Sequence, residues 1–309
     1  MRSKKLRAIL LAAVCWQSAS CTAVDELPEP AFSTVAEAPR DEVREVEPWA
    51  KPGIERRTIK AAGLDRKYVL SLPAGARQRD RLPVIFAFHG YREDPETTRR
   101  ASRLDRADAL VAYMSGVGNA WAPAPYAKTS GEQDLAFVDE VLDELSREFS
   151  VDRARVFATG MSNGGGFAAY LGCQRPQDFT GVATVSAAFY EHVSEGCSQI
   201  PMKLIDFHGT DDSIISYQGG ERHESVYEST QEMLEETARR NHCAGREEDI
   251  EVTAEITRIA WDDCDAATVH YRIEGGLHTW PGGVGDKSGT APAGFATRAQ
   301  LKFFGVGYN

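Results

Sequence analysis

The chain has 309 residues, 42% of them hydrophobic and 26% charged, and a formal net charge of −11. That acidic balance argues against a nucleic acid or an anionic membrane as partner, since either calls for a basic surface. It places no bar on a neutral small molecule.

At the N-terminus Arg2, Lys4, Lys5 and Arg7 precede the apolar run Ala8–Val14, which is too short to span a bilayer. Residues 1–21 therefore read as an export signal, and the expected location is outside the cytoplasm, secreted or tethered to the cell envelope. Ser18-Ala19-Ser20-Cys21 is similar to a lipoprotein cleavage box, with Ser18 where leucine is usual. Lipidation of Cys21 and plain cleavage near Ala19 or Ala23 are both open, and a lipid on Cys21 would tether the protein without spanning the membrane. Loss of residues 1–21 leaves 31 basic and 46 acidic residues, so the mature charge is near −15. No other stretch is long and apolar enough for a membrane helix.

Residues 22–53 hold Pro28, Pro30, Pro39, Pro48 and Pro52 among acidic residues and alanines, with no sustained period. This composition predicts a flexible leader. Residues 54–309 are then one catalytic domain, long enough to bury a sizeable core.

Within it, Thr58–Ala61 and Lys67–Leu72 predict an opening hairpin, and Val84–Phe88 is a continuous apolar run of the kind buried on both faces of a parallel sheet. His89-Gly90-Tyr91 follows that strand. Leu110–Met114 predicts another strand. From Gln133 to Phe149, Leu135, Val138, Leu142, Leu145 and Phe149 recur at helical spacing, with charged residues between them. Arg155–Thr159, Gly181–Ser186, Lys203–Phe207 and Thr268–Ile273 predict strands. Ser229 with Glu232 forms a capping box opening a helix towards Arg240, and Ala293–Phe304 predicts a closing helix. Strand and helix alternate, which implies an α/β fold: a mostly parallel sheet with helices on both faces.

The chemistry centres on Gly160-Met161-Ser162-Asn163-Gly164. An apolar strand runs into Gly160, and a helix follows Ser162, the strand, tight turn, helix layout of a nucleophile elbow. Small neighbours are needed because the serine backbone is forced into a strained turn that lifts its hydroxyl above the sheet. The pentapeptide alone arises by chance in roughly one chain in ten of this size, so an acid and a base must be found elsewhere.

In such sheets, ligands gather at the carboxyl ends of the strands. His208-Gly209-Thr210-Asp211-Asp212 follows one strand, and Asp211 or Asp212 could orient an imidazole; either could equally cap its own loop. His278 lies on a Gly-rich loop after the last strand, with a helix still to come, and is the candidate base. The order serine, acid, histidine is that of α/β-hydrolases. Oxyanion donors are expected from the backbone N–H of Asn163, at a helix start, and of Tyr91. His89, ahead of the nucleophile, and His208, at a strand end, read as structural. Trp121, Tyr91 and Trp280 are candidate contacts for an aromatic acyl group or a sugar.

Four cysteines remain beyond the signal, an even number suited to an oxidising compartment. Three pairings exist. The preferred one is Cys173 with Cys197 and Cys243 with Cys264, since each closes a loop of moderate length. A four-thiolate zinc site lacks CxxC spacing, and neither metal nor organic cofactor is expected.

Together, His89-Gly90-Tyr91, the Ala158–Gly165 stretch ATGMSNGG, His208–Asp212 and the His278–Gly283 stretch HTWPGG resemble the secreted polyhydroxybutyrate depolymerase and feruloyl esterase group of α/β-hydrolases. The resemblance covers about Lys67 to Phe304. It implies an α/β-hydrolase fold, with Ser162 as nucleophile, Asp212 rather than Asp211 as acid, and His278 as base. It also implies that Cys173 and Cys243 occupy positions where the group pairs cysteines. Tyr113-Met114-Ser115 departs from the group's proline-containing strand end. The implied activity is hydrolysis of carboxylic esters through an acyl-enzyme. Substrates would be small, polysaccharide-linked or polymeric esters: feruloyl, acetyl or polyhydroxybutyrate. Nothing after Phe304 reads as a carbohydrate-binding module, which tilts the expectation towards soluble esters. Two rivals are a peptidase of the prolyl-oligopeptidase kind, for whose propeller there is no room, and a non-catalytic surface-binding lipoprotein that keeps the fold.

Overall fold

A computed structural model describes residues 53–246 and 249–309. The expected export signal, Cys21 and all but the last residue of the leader lie outside the described residues. The chain runs β1 (Gly53–Ala61), β2 (Leu64–Leu72), β3 (Leu82–Phe88), α1 (Pro95–Ser102), β4 (Leu110–Met114), α2 (Gly131–Glu148), β5 (Val151–Met161), α3 (Asn163–Gln174), β6 (Gly181–Val185) and β7 (Lys203–Gly209). It continues through β8 (Gly220–Arg222), β9 (Ser225–Tyr227), α4 (Thr230–Arg240), β10 (Gly245–Arg246), β11 (Ile250–Thr253), β12 (Ile256–Asp262), β13 (Thr268–Ile273) and α5 (Phe295–Phe304).

One 11-stranded sheet carries the order β1-β2-β4-β3-β5-β6-β7-β13-β12-β10, with β11 also paired to β12. Its centre, β4-β3-β5-β6-β7-β13, is parallel, and both flanks are antiparallel. Every residue of β3 is buried, because its two faces feed two cores. Val84, Phe86 and Phe88 meet Phe137, Leu142, Phe167 and Leu171 from α2 and α3. Ile85 and Ala87 share the other core with Leu301 and Phe304 of α5. The mostly parallel sheet with helices on both faces, expected from the strand and helix alternation, is the architecture observed.

Local signals account for the helix starts. Ser130 and Gln133 form a reciprocal capping box on α2, as Ser229 and Glu232 do on α4. Asp94 caps α1 by accepting from Thr97 N, with Pro95 in the first turn. Helix α1, the β8–β9 hairpin and the β10–β12 edge were not legible as elements in the sequence. The hairpin turns through His223 (φ 56°) and Glu224 (φ 59°), and such a turn is ordinarily announced by Asn or Gly. Disulfides join Cys173 to Cys197 and Cys243 to Cys264, the preferred pairing.

Candidate active site

Ser162 sits between β5 and α3 with φ 54° and ψ −121°, a region that costs a non-glycine residue of order 1–3 kcal/mol. The turn is held over-determined by its neighbours. Ser162 N donates to Val185 O at 2.9 Å, and Ser162 O accepts from Gly166 N and Ala188 N, both at 3.0 Å. The flanking glycines are demanded by close approach rather than by dihedral angle. A Cβ on Gly160 would lie 2.2 Å from Gly164 O, and one on Gly164 would lie 2.3 Å from Phe88 O.

Of the two aspartates after β7, Asp211 is exposed and Asp212 is buried. Asp212 Oδ2 lies 2.7 Å from His278 Nδ1, and Oδ1 accepts from the backbone N–H groups of Ile214 and Ile215, each at 2.9 Å. The same Oδ2 lies 3.4 Å from His208 Nε2, which also reaches Ile215 O at 2.9 Å. Burial by itself would raise the Asp212 pKa. Hydrogen bonds from His208 and His278 overcome it, and the carboxyl is held well below the usual carboxylate range. Burial pushes His208 down, but its bond to Asp212 and the charge of Asp206 lift it above the ordinary imidazole range. His208 therefore belongs to the surroundings of Asp212, a place that its position at a strand end did not reveal.

Ser162 and His278 line one cleft of about 330 Å³, with no hydrogen bond between them among the described residues. In unliganded hydrolases that contact is commonly loose and tightens around substrate. The walls are aromatic. Tyr91 stacks on Tyr126 with centroids 4.0 Å apart, and His223, at the tip of the β8–β9 hairpin, meets Tyr126 edge-on at 4.7 Å. Tyr190 completes the ring at 5.9 Å from Tyr126. Tyr91 is thus at the cleft, as expected, while Tyr126, Tyr190 and His223 were missed because their elements carry no local signal.

The backbone N–H groups of Tyr91 and Asn163 donate to no other described residue. The side chain of Asn163 and the carbonyl of His89, two residues before Tyr91, are both tied to Trp121. Its N–H donates to Asn163 Oδ1 at 2.8 Å, Asn163 Nδ2 donates to its carbonyl at 3.0 Å, and its indole Nε1 donates to His89 O at 3.1 Å. Its ring stacks on Phe167, centroids 5.2 Å apart.

Trp121 is fully buried, and Trp280 is 2% exposed with its Nε1 on Thr297 Oγ1 at 3.0 Å. Neither lines the cleft, so the expectation of substrate contact is corrected for both: strand ends beside a site also carry the large aromatics that close the core under it. His89 is satisfied internally. Its Nδ1 faces Gly90 O at 2.8 Å and its Nε2 accepts from Gly116 N at 3.0 Å, while burial lowers its pKa. Among the described residues no group of His, Cys, Asp or Glu is arranged to hold a metal ion.

The phospholipase/carboxylesterase family of α/β-hydrolases matches residues 128–250, a span that includes Ser162 and Asp212. NocK from Nocardia uniformis subsp. tsuyamanensis, named only as a candidate esterase, is 26% identical over 92% of this chain and 90% of its own length. The chain is thus similar to esterase-like α/β-hydrolases. Within them, feruloyl esterase C of Emericella nidulans is 30% identical over 50% of this chain, and feruloyl esterase B of Piromyces equi is 25% identical over 58% of it. The chain spans only 58% and 36% of those two proteins. Its fold is that of the acetyl xylan esterase from Aspergillus awamori, which superposes with a TM-score of 0.58 at 14% identity over 82% of this chain and 99% of the other.

Proposed function

We propose that this hydrolase cleaves carboxylic esters by a serine acyl-enzyme route. The observation that carries the reading is that Ser162, held at a strained turn, opens to the same cleft as His278, whose Nδ1 is bonded to buried Asp212. Ser162 Oγ attacks the ester carbonyl and passes its proton to His278 Nε2. The backbone N–H groups of Tyr91 and Asn163 receive the negative charge on the carbonyl oxygen, and the start of α3 adds its dipole. His278 then protonates the leaving alkoxide. A water molecule, deprotonated by His278, attacks the acyl carbon and frees Ser162. Asp212 holds the imidazole tautomer and balances the imidazolium. No step calls on a metal or an organic cofactor.

The ring of Tyr91, Tyr126 and Tyr190 supports an aromatic, hydroxycinnamoyl-type acyl group over an aliphatic one, since flat faces and hydroxyl tips suit a phenolic ring. The names of the similar feruloyl esterases point the same way. Methyl ferulate, acetylated xylan and polyhydroxybutyrate, assayed side by side, test this. Methyl ferulate is expected to give the highest kcat/KM, and turnover confined to the polyester would overturn the acyl assignment.

Export is part of the same reading, supported by the basic and apolar N-terminal segment and by the two disulfides. The mass of the mature N-terminal peptide separates a lipidated Cys21 from plain cleavage, and an intact Met1 on cell-associated protein would refute export.

A further inference from the structure

A second cleft, of about 670 Å³, lies beyond the segment 210–218 and plays no part in the chemistry above. That segment has two sides. Ile214 and Ile215 line the cleft of Ser162, whereas Thr210, Tyr217 and Gln218 line the second one. Leu234 and Ile259 form its buried apolar floor. The partly buried Trp261 and Tyr217 stand in its wall, with the exposed amides of Gln218 and Gln231 at the rim. The charged side chains of the lining already have partners: Arg272 Nε lies 2.6 Å from Glu274 Oε1, Arg246 donates to Asp249 at 2.7 and 2.9 Å, and Glu235 accepts from Gln231 Nε2 at 2.8 Å. With these charges paired within the protein, the cleft suits a neutral ligand better than an ion.

Tyr217 is fixed by a buried relay. Its hydroxyl lies 2.9 Å from His270 Nε2, His270 Nδ1 lies 2.8 Å from Asp206 Oδ2, and Asp206 Oδ1 accepts from Thr184 Oγ1 at 2.6 Å. Asp206 and His270 are both wholly buried. Burying such a pair is costly unless every partner is satisfied. Here the relay is satisfied end to end, and it terminates on a tyrosine that faces a cleft. A ring locked in place before a ligand arrives loses little freedom on binding.

A pyranose or furanose unit has apolar C–H faces and a fringe of hydroxyls, which suits a cleft walled by two aromatic side chains and edged by amides and paired charges. We propose that this cleft is a distal subsite for neutral sugar units of a polysaccharide whose ester is bound at Ser162. The assignment rests on the esterase reading given above and extends it to the alcohol side of the substrate.

The test compares methyl ferulate with a feruloylated xylo-oligosaccharide on wild-type protein, Trp261→Ala and Gln231→Ala. Trp261→Ala is expected to lower kcat/KM about tenfold on the oligosaccharide ester, mainly through KM, and to leave methyl ferulate within about twofold. Gln231, exposed on the outer face of α4, gives a smaller loss with the same selectivity and no risk to folding. In a second arm, an unesterified xylo-oligosaccharide is titrated into Ser162→Ala protein by calorimetry, with and without Trp261→Ala. Binding that depends on Trp261 supports the subsite even if methyl ferulate is not turned over, so failure of the esterase reading is visible separately. Equal losses on both esters, no loss on either, no saccharide binding, or a Trp261 dependence seen only with a hydroxybutyrate oligomer would each overturn it.

Discussion

Trp121 and Asn163 are joined by two hydrogen bonds, at 2.8 and 3.0 Å, across 42 residues of chain. The residue that follows the nucleophile is thereby clamped to the loop whose indole also holds His89 O, two residues before Tyr91. One tryptophan thus bonds both the residue of one proposed oxyanion donor and the carbonyl two residues before the other. Asn163→Ala keeps the backbone N–H but frees it from this clamp. We expect kcat to fall about 10- to 100-fold with KM nearly unchanged, because the donor is lost mainly to the transition state. Steady-state kinetics on methyl ferulate decide it, and a rise in KM alone would contradict the clamp.

Ser162 should be the most reactive serine in the chain, since among the described residues it alone combines an elbow turn with a cleft shared with a histidine. A fluorophosphonate is expected to label a single peptide containing Ser162 and to abolish esterase activity in proportion to labelling. Ser162→Ala should lose at least about a thousandfold in kcat while melting within a few degrees of wild type. Label found on another serine would refute the assignment.

The two aspartates after β7 separate sharply. Asp212→Asn should cost about 10³- to 10⁴-fold in kcat, because the amide cannot hold the imidazole in its working tautomer or balance its charge. Asp211 is exposed, and Asp211→Asn should stay within about threefold. The reverse ranking would move the acid.

Asp212 also predicts a dependence of stability on pH. Its pKa is lowered in the folded state, so its contribution is present above the ordinary carboxylate value near 3.8 and is lost as pH falls through the folded value. His208 is raised, so its contribution is complete below about 6.5 and is lost as pH climbs through its folded value. Urea melts should show the stability gap between wild type and Asp212→Asn widest at about pH 4 to 6.5 and shrinking on either side. A gap independent of pH would show that neither group is linked to folding.

Peptide mapping of non-reduced protein is expected to recover Cys173 with Cys197 and Cys243 with Cys264. Each loop is worth about 3 kcal/mol if chain entropy dominates, so a reductant should lower the melting temperature clearly. A crossed pairing would be incompatible with this fold.

The sequence alone determined the central strands, the α2 periodicity, the α4 capping box, the elbow and the order of serine, acid and histidine, since all of these are written in short-range patterns. Burial on both faces makes β3 a continuous apolar run, and the Gly160 and Gly164 contacts leave no room for a side chain. Spacing left Asp211 and Asp212 open and only the resemblance favoured Asp212; the tertiary structure puts Asp212 against His278, because the two aspartates differ in direction and not in chemistry. It also moved Trp121 and Trp280 into the core, brought His208 to the acid, and set Tyr126, Tyr190 and His223 around the cleft. The physical reason is common to all of them: side-chain direction at the end of a strand or the tip of a two-residue turn is settled by what packs against it from distant parts of the chain, and local sequence carries no record of those neighbours.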